Sequence, residues 1–228
     1  MQIQQKLYWR SWMKPLTDKQ SQNLEIVEKE VMQLFKSDTS GHSYDHIKRV
    51  VDLTARLVVE GADLYTTMMI AYLHDILDEK LDFGYDNLED VYLEFGLEMD
   101  ETFKDIEHGV LSIGYKGGYT VMEKSLEAQI VSDADMLDAM GAIGIGRAFY
   151  YAGSKGQPFH DSGLEGVVSD DIESYRNRKR NVIAHFDEKL LKLKGLIVTP
   201  KAKIIAVGRH EFLRKLYEQY MDELSGDK

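Results

Sequence analysis

The sequence predicts an all-α fold, and two observations carry this prediction. Apolar residues recur at the 3.6-residue period of an α-helix along most of the chain, whereas the alternation of apolar and polar residues that marks a strand is weak throughout. The 228 residues also contain only three prolines, so the helical pattern is seldom interrupted. No repeat or linker-like segment marks a boundary, and we predict a single helical domain over 1–228.

Capping and turn residues set the order of the first helices. One helix is predicted from Asp18 to Phe35 and a second from about Ser43 to Glu60, where Gly61 ends it. Asp63 caps the third helix, which is expected to run through a long apolar stretch and to break near 83–84. Because of that apolar stretch, the third helix is predicted to be central and buried.

The rest of the chain shows the same helical period. Further helices are predicted over 87–95, 101–112, 124–140, 171–193 and 201–224. The small residues of 141–147 are expected to continue the helix before them, and 153–170 to form a surface loop. The core that carries the functional site is placed at about 41–150, and the C-terminal helices at about 171–224.

Composition excludes several classes of function. The chain has no cysteine, so any metal has to be bound by His, Asp or Glu. A formal charge of −11 disfavours a nucleic-acid surface, because such a surface neutralises phosphates with Lys and Arg. No apolar run approaches the ~20 residues that span a bilayer, and residues 1–10 lack the apolar core of an export signal. We therefore predict a cytoplasmic protein with no membrane partner.

The most informative feature is the adjacent pair His74 and Asp75, because it places two metal-ligand side chains in an otherwise apolar helix. Upstream, His46 lies on a second helical segment, and downstream Asp135 lies in another. Burying an unpaired carboxylate is costly, and a divalent cation compensates that cost. These four residues form a plausible mononuclear site. The set suits Mn, Fe, Co, Ni or Zn, and also Mg if waters complete its shell.

The segment that follows the His-Asp pair supplies further acids. Positions i and i+4 share a helix face, so we expect Asp78 beside His74 and Glu79 beside Asp75. Asp78 would then orient or deprotonate a metal-bound water as a general base. We favour Asp78 over Glu79 for this role.

Three motifs, in this order, resemble those of the HD-domain metal-dependent phosphohydrolases. They are GHSYDHIKRV (41–50), LHDILDEK (73–80) and DADMLDA (133–139). The likeness continues through 106–108, 141–149 and 185–191. It is most specific to the small stand-alone bacterial members that look like nucleotide pyrophosphohydrolases. The resemblance implies an HD-domain helical bundle that binds one divalent metal through His46, His74, Asp75 and Asp135.

The resemblance also implies roles for individual acids. Asp135 is chosen over Asp133 because 134–137 are similar to the Ala-Asp-x-Leu pattern of the family, and the choice between the two stays open. In the alarmone hydrolases, which are distant relatives, the acidic pair after the His-Asp motif is associated with activating the attacking water. Asp78 and Glu79 occupy the similar place here.

Several basic residues are candidates for binding phosphate. Phosphoryl transfer depends on cations aimed at the phosphoryl oxygens, and Arg49, Lys80, His108 and Arg147 could supply them. For Arg49 and Lys80 an ordinary ion pair is an equal alternative, and His108 has the alternative of a surface histidine. The dense basic cluster at 176–180 is interpreted as a solvated helix face in preference to an RNA-binding surface.

The sequence thus predicts a hydrolase that cleaves a phosphoester or phosphoanhydride bond with a metal-activated water, in a nucleotide. Nucleoside triphosphate pyrophosphohydrolysis is favoured, and nucleotide phosphomonoesterase activity is the close alternative. A non-catalytic nucleotide-sensing regulator and an RNA-binding protein are the alternatives from other classes. The metal, the base, the sugar and the oligomeric state, including a homo-oligomer, stay open.

Overall fold

The computed structural model describes residues 12–37, 43–78, 81, 83–114, 122–160 and 181–226. These residues form helices and connecting turns with no β-strand among them, which confirms the all-α class. Within the same residues, no helix combines the length and the apolar character needed to cross a membrane. The predictions that concern Glu79, Lys80 and the cluster at 176–180 lie outside the described residues.

The chain divides into two compact units, while the prediction of a single domain stays a prediction. The first unit contains α1 (Asp18–Leu34), α2 (Tyr44–Leu57), α3 (Leu64–Leu73), α4 (Leu88–Phe95), α5 (Phe103–Ser112) and most of α6 (Leu126–Asp138). The second unit begins at Asp135, in the last turn of α6. It continues with α7 (Gly141–Ser154), α8 (Val182–Glu188), α9 (Leu193–Leu196) and α10 (Pro200–Ser225).

Helix α3 is the centre of the first unit. All ten of its residues are buried, and it packs against α1, α2 and α5. The Asp63 carboxylate accepts a hydrogen bond from the Thr66 backbone N–H at 2.8 Å, so the predicted cap is confirmed. The prediction that this helix is central and buried is confirmed as well. Because α3 is held on several sides, it also fixes the position of the residues that follow its C-terminus, which begin with His74.

Helix α3 ends earlier than predicted. The helix stops at Leu73, and His74 is its C-cap, so the expectation that it continues towards 83–84 is wrong. Beyond it the backbone makes i to i+3 bonds, from Ile76 N–H to the Leu73 carbonyl and from Asp78 N–H to the Asp75 carbonyl, each 3.0 Å. Asp is a weak helix former because its carboxylate competes for backbone groups. Asp78 was predicted to lie one α-helical turn after His74. Because the helix ends before it, Asp78 does not have that position.

Three other boundaries differ from the predictions. Helix α2 ends at Leu57, three residues before Glu60. Helices α6 and α7 are separate, because Gly141 takes a left-handed backbone with φ +69° and starts a new helix. In the described part of the predicted helix 171–193, Asn181 caps the N-terminus of the short α8. The chain then breaks at Lys189, whose φ is −133°, so that prediction is wrong there.

A substitution at Gly144, in the first turn of α7, tests how tightly the second unit is packed. A Cβ on Gly144 would lie 2.2 Å from the carbonyl carbon and oxygen of Ala139, which are backbone atoms that cannot rotate away. We expect Gly144→Ala to destabilise the protein by about 1–3 kcal/mol, as overpacking does. Urea unfolding followed by circular dichroism measures this change.

Gly146→Ala is the matched control on the same helix. Nothing lies within 4 Å of a Cβ at Gly146, so alanine there is expected to be neutral or to stabilise by about 0.5–1 kcal/mol through helix propensity. Equal effects of the two substitutions would contradict the close approach at Ala139.

Candidate metal centre

His46 lies in the first turn of α2 and is almost completely buried, at 1% exposure. Ile47, Val50 and Val51 of the same helix are buried with it. The apolar face that α2 packs onto α3 therefore carries this imidazole into the first unit. A buried imidazole needs polar partners, and His74 and Asp75 provide them.

His74 is oriented by its own helix. Its Nδ1 donates a hydrogen bond to the Ala71 carbonyl oxygen at 2.9 Å, since a carbonyl can only accept. In a neutral ring, this bond leaves Nε2 with the lone pair that a metal ligand needs. A metal-binding histidine usually donates a hydrogen bond from its other ring nitrogen to a backbone carbonyl or a carboxylate. His74 therefore has the tautomer and the orientation of a ligand.

The ligand atoms of three residues converge. The Nε2 atoms of His46 and His74 are 3.3 Å apart, and the Asp75 Oδ2 atom lies 3.3 Å from the first and 3.6 Å from the second. Among the described residues, this is the group of His, Asp and Glu whose ligand atoms all lie within 4.8 Å of one another. Two imidazole nitrogens and one carboxylate oxygen suit a divalent transition metal. The residues present fit such an ion.

Three other predicted site residues, Asp78, Arg49 and His108, differ in how far they are buried. Asp78 is half-buried, and its N–H donates to the Asp75 carbonyl, so the two acids share one tight turn. Arg49 is half-buried on α2, three residues after His46. His108 lies exposed on α5. The roles predicted for these residues stay predictions.

Asp135 lies half-buried in the last turn of α6, in the second unit, and its role as a ligand stays a prediction. Asp133, the alternative to it, is fully buried on the same helix. In the second unit, the Arg147 guanidinium contacts the buried carboxylate of Asp138 at 2.8 Å. Sequence reasoning missed this ion pair, because the partners are nine positions apart and the break at Gly141 lies between them.

Tyr44 of α2, which the sequence did not single out, contacts Glu28 of α1. The Tyr44 hydroxyl donates to a Glu28 carboxylate oxygen at 3.3 Å. Burial, followed by the charge of Glu28, raises the pKa of Tyr44 to about 12 and raises the pKa of Tyr72 as well. Both hydroxyls are protonated at neutral pH, and that of Tyr44 donates to Glu28.

Comparison with known proteins assigns the family. The HD domain model matches residues 43–140, which contain the three converging residues and Asp135. The uncharacterized protein YpgQ of Bacillus subtilis is 31% identical over 215 residues, which are 91% of this chain and 97% of YpgQ. The chain belongs to the HD domain family. This confirms the family that the three sequence motifs resemble.

Solved structures agree with this assignment. A Lactobacillus plantarum protein gives a TM-score of 0.82 at 32% identity, over 93% of this chain and 100% of that one. An HD-superfamily hydrolase of Bacillus thuringiensis gives 0.63 at 33% identity, over 90% and 98%. YpgQ in complex with ADP gives 0.67 at 29% identity, over 92% and 97%. The protein is a metal-dependent phosphohydrolase of the HD superfamily.

Substituting Asp75 tests the cluster directly. Asp75→Asn keeps the size of the side chain but removes the charged oxygen from between the two imidazoles, so we expect Mn²⁺ affinity to fall by at least 10-fold. Calorimetric titration with Mn²⁺ measures the affinity, and circular dichroism checks that the helices are retained. Asp63→Asn, which keeps a capping oxygen on α3, is the control and should bind Mn²⁺ like the wild type. Unchanged Mn²⁺ affinity of Asp75→Asn would show that the Asp75 carboxylate is not a metal ligand.

The ion pair between Asp138 and Arg147 has its own test. Arg147→Met keeps the aliphatic stem but leaves the carboxylate of Asp138, which is 1% exposed, without this partner. We expect a loss of about 3 kcal/mol in the free energy of unfolding, as when one member of a buried pair is removed. Urea unfolding measures it. A stable variant with a raised KM for its substrate would instead assign Arg147 to phosphate binding.

Proposed function

We propose that this protein hydrolyses a nucleotide, with cleavage of a nucleoside triphosphate to the monophosphate and pyrophosphate as the favoured reaction. The observation that carries the proposal is the convergence of His46, His74 and Asp75 within an HD domain. The ADP complex of YpgQ supports a nucleotide as the ligand, because YpgQ is related to this chain over most of both sequences.

The residues that would hold the metal are His46, His74 and Asp75, with Asp135 as the predicted fourth ligand. One divalent ion bound there would supply a water of lowered pKa and a positive charge for a phosphoryl oxygen. The chain contributes the fixed positions of the ligand atoms, because His46 and His74 are held in the packed interior of the first unit. Fixed positions matter because phosphoryl transfer is catalysed mainly by positioning and electrostatics.

Asp78 is proposed as the general base. Its backbone N–H donates to the Asp75 backbone carbonyl at 3.0 Å, so Asp78 lies in the same tight turn as Asp75. Its half-buried carboxylate would take a proton from the attacking water. The water oxygen forms a bond to the α-phosphorus, and the bond from that phosphorus to the bridging oxygen breaks. Pyrophosphate leaves with the electron pair, and Asp78 ends the step protonated.

Arg49 is proposed as a phosphate ligand. It lies three residues after His46 on α2, a spacing that places two side chains on neighbouring positions of one helix face. It is half-buried, so a charge there is screened less by water than at an exposed site. A guanidinium next to the ligand cluster would bind the phosphoryl oxygens in two-pronged geometry.

Product identification tests the proposal and separates its versions. The protein is incubated with nucleoside and deoxynucleoside mono-, di- and triphosphates, with Mn²⁺ and with a chelator. The favoured reaction releases pyrophosphate from triphosphates, and only when Mn²⁺ is present. A phosphomonoesterase releases inorganic phosphate from monophosphates. Asp78→Asn should lower kcat by about 100-fold or more while Mn²⁺ binding is kept, because it removes the base and not a ligand.

The negative outcomes are equally specific. Full turnover by Asp78→Asn would overturn its role as the base. Nucleotide binding with no product from any member of the panel would overturn nucleotide hydrolysis as the activity of this protein. Product formed in the presence of the chelator would contradict the metal site.

A further inference from the structure

The first turns of the C-terminal helix α10 present apolar side chains to solvent. Ile204, at 75% exposure, is the most exposed large apolar side chain among the described residues, and Val207, three residues later, is exposed as well. Ala202 and Ala206 of the same helix are buried. Each of them is two residues from Ile204, or roughly 200° around the helix. Ile204 therefore points away from the side of α10 that is packed into the second unit.

The segment directly before α10 has the same character. Leu193 and Ile197 are buried there, whereas Leu196 and Val198 are each about half exposed. The short helix α9, which contains Leu196, packs against α10. The exposed apolar side chains of the two helices therefore belong to one region of the second unit.

Lysines flank the exposed apolar residues of α10. Lys201 and Lys203 are exposed and lie on either side of Ile204, at about 60° and 100° around the helix. The sequence contains no Asp or Glu over 189–210, although the whole chain has 39 acids against 28 lysines and arginines. The four residues Lys201, Lys203, Ile204 and Val207 are called the α10 patch below.

The acid that follows the patch along α10 is neutralised locally. One carboxylate oxygen of Glu211 lies 2.8 Å from the guanidinium of Arg214 and 3.7 Å from the ammonium group of Lys215. Helix α7, against which α10 packs, contains no Asp or Glu. Lys192 and Lys194, which are exposed before α10, add positive charge. The patch is therefore a positively charged apolar surface on a chain with a formal charge of −11.

The chemistry of the patch disfavours three classes of partner. Protein interfaces are depleted of lysine and take most of their binding energy from Trp, Tyr and Arg, none of which is in the patch. In a two-fold dimer formed through the patch, its lysines would face their own copies and repel them. A nucleic acid would use the lysines, but it offers little to exposed aliphatic side chains and stacks its bases on aromatic ones.

The surface of an anionic bilayer matches both parts of the patch. Interfacial helices place apolar side chains at the boundary between headgroups and acyl chains, with lysines beside them. Lysine fits this position because its apolar stem lies along the bilayer boundary while its ammonium group reaches the phosphates. Anionic headgroups attract basic residues that lie near the membrane surface.

We infer that the α10 patch binds the surface of a bilayer that contains anionic phospholipids. Ile204 and Val207 enter the headgroup boundary, and Lys201 and Lys203 contact the lipid phosphates. Such a contact needs neither a spanning helix nor an export signal, which were the grounds for predicting no membrane partner, so the inference revises that prediction. It involves neither the metal nor a nucleotide and is independent of the proposed function.

Co-sedimentation with vesicles tests the inference. The full chain should bind vesicles of equal parts phosphatidylglycerol and phosphatidylcholine, bind them more weakly at high salt, and not bind phosphatidylcholine alone. Lys201→Glu combined with Lys203→Glu should lower the partition coefficient by at least about 10-fold, because two attractive charges become repulsive. Ile204→Ser should lower it by at least about 3-fold, because it removes an apolar side chain from the contact.

Matched controls come from the first unit. Lys29→Glu combined with Lys104→Glu makes the same change in net charge at two exposed lysines outside the patch. Leu93→Ser removes an apolar side chain of α4 that is 68% exposed. Both controls should bind the anionic vesicles within about 2-fold of the wild type, because their substituted side chains do not contact the bilayer. Circular dichroism checks that every variant keeps its helices.

The contrary outcomes are distinct. A wild-type protein that stays in the supernatant with the anionic vesicles would overturn the inference. Equal losses of binding in the two double variants would also overturn it, since net charge alone would then explain the binding. Wild-type binding by both patch variants would do the same. A wild-type dimer that ignores vesicles and dissociates on Ile204→Ser, measured by analytical ultracentrifugation, would assign the patch to a second copy of the chain instead.

Discussion

The close approach of His46, His74 and Asp75 is the constraint on which the centre of the first unit depends. Two imidazole nitrogens and a carboxylate oxygen lie within 3.6 Å of one another, largely out of water. Burying such groups is unfavourable unless they bind one another or an ion. The surrounding helices therefore have to supply enough apolar burial to hold them there. Helix α3, with every residue buried, is the element that does so.

The early end of α3 explains how two adjacent residues can serve one ion. In a continuous α-helix the side chains of neighbours diverge by about 100°. Here His74 caps the helix and a tight turn follows, and His74 Nε2 lies 3.6 Å from Asp75 Oδ2. The helix holds one ligand and the turn brings the next one to it. The same turn carries Asp78, the proposed general base, so that the base and Asp75 share one short segment.

The second unit uses a different device at the end of α6. There Arg147 contacts the fully buried Asp138, and Arg209 of α10 donates to the Leu137 carbonyl, so both guanidinium groups act within a few residues of one helix end. The last carbonyls of a helix have no partner within it, and an arginine from another element is one way to satisfy them. The C-terminal helix α10 is thereby joined to the end of α6 as well as packed against α7.

The sequence by itself determined the all-α class, the buried central helix and the three residues whose side chains converge, His46, His74 and Asp75. The apolar period, the cap at Asp63 and the motifs around His46 and His74 are local features, and local features can be recognised without coordinates. Only the tertiary structure decided that α3 stops at Leu73 and that the carboxylate of Glu28 accepts a hydrogen bond from Tyr44. Helix ends and contacts between distant residues are settled by packing and by competing hydrogen bonds, to which no periodic pattern in the chain corresponds.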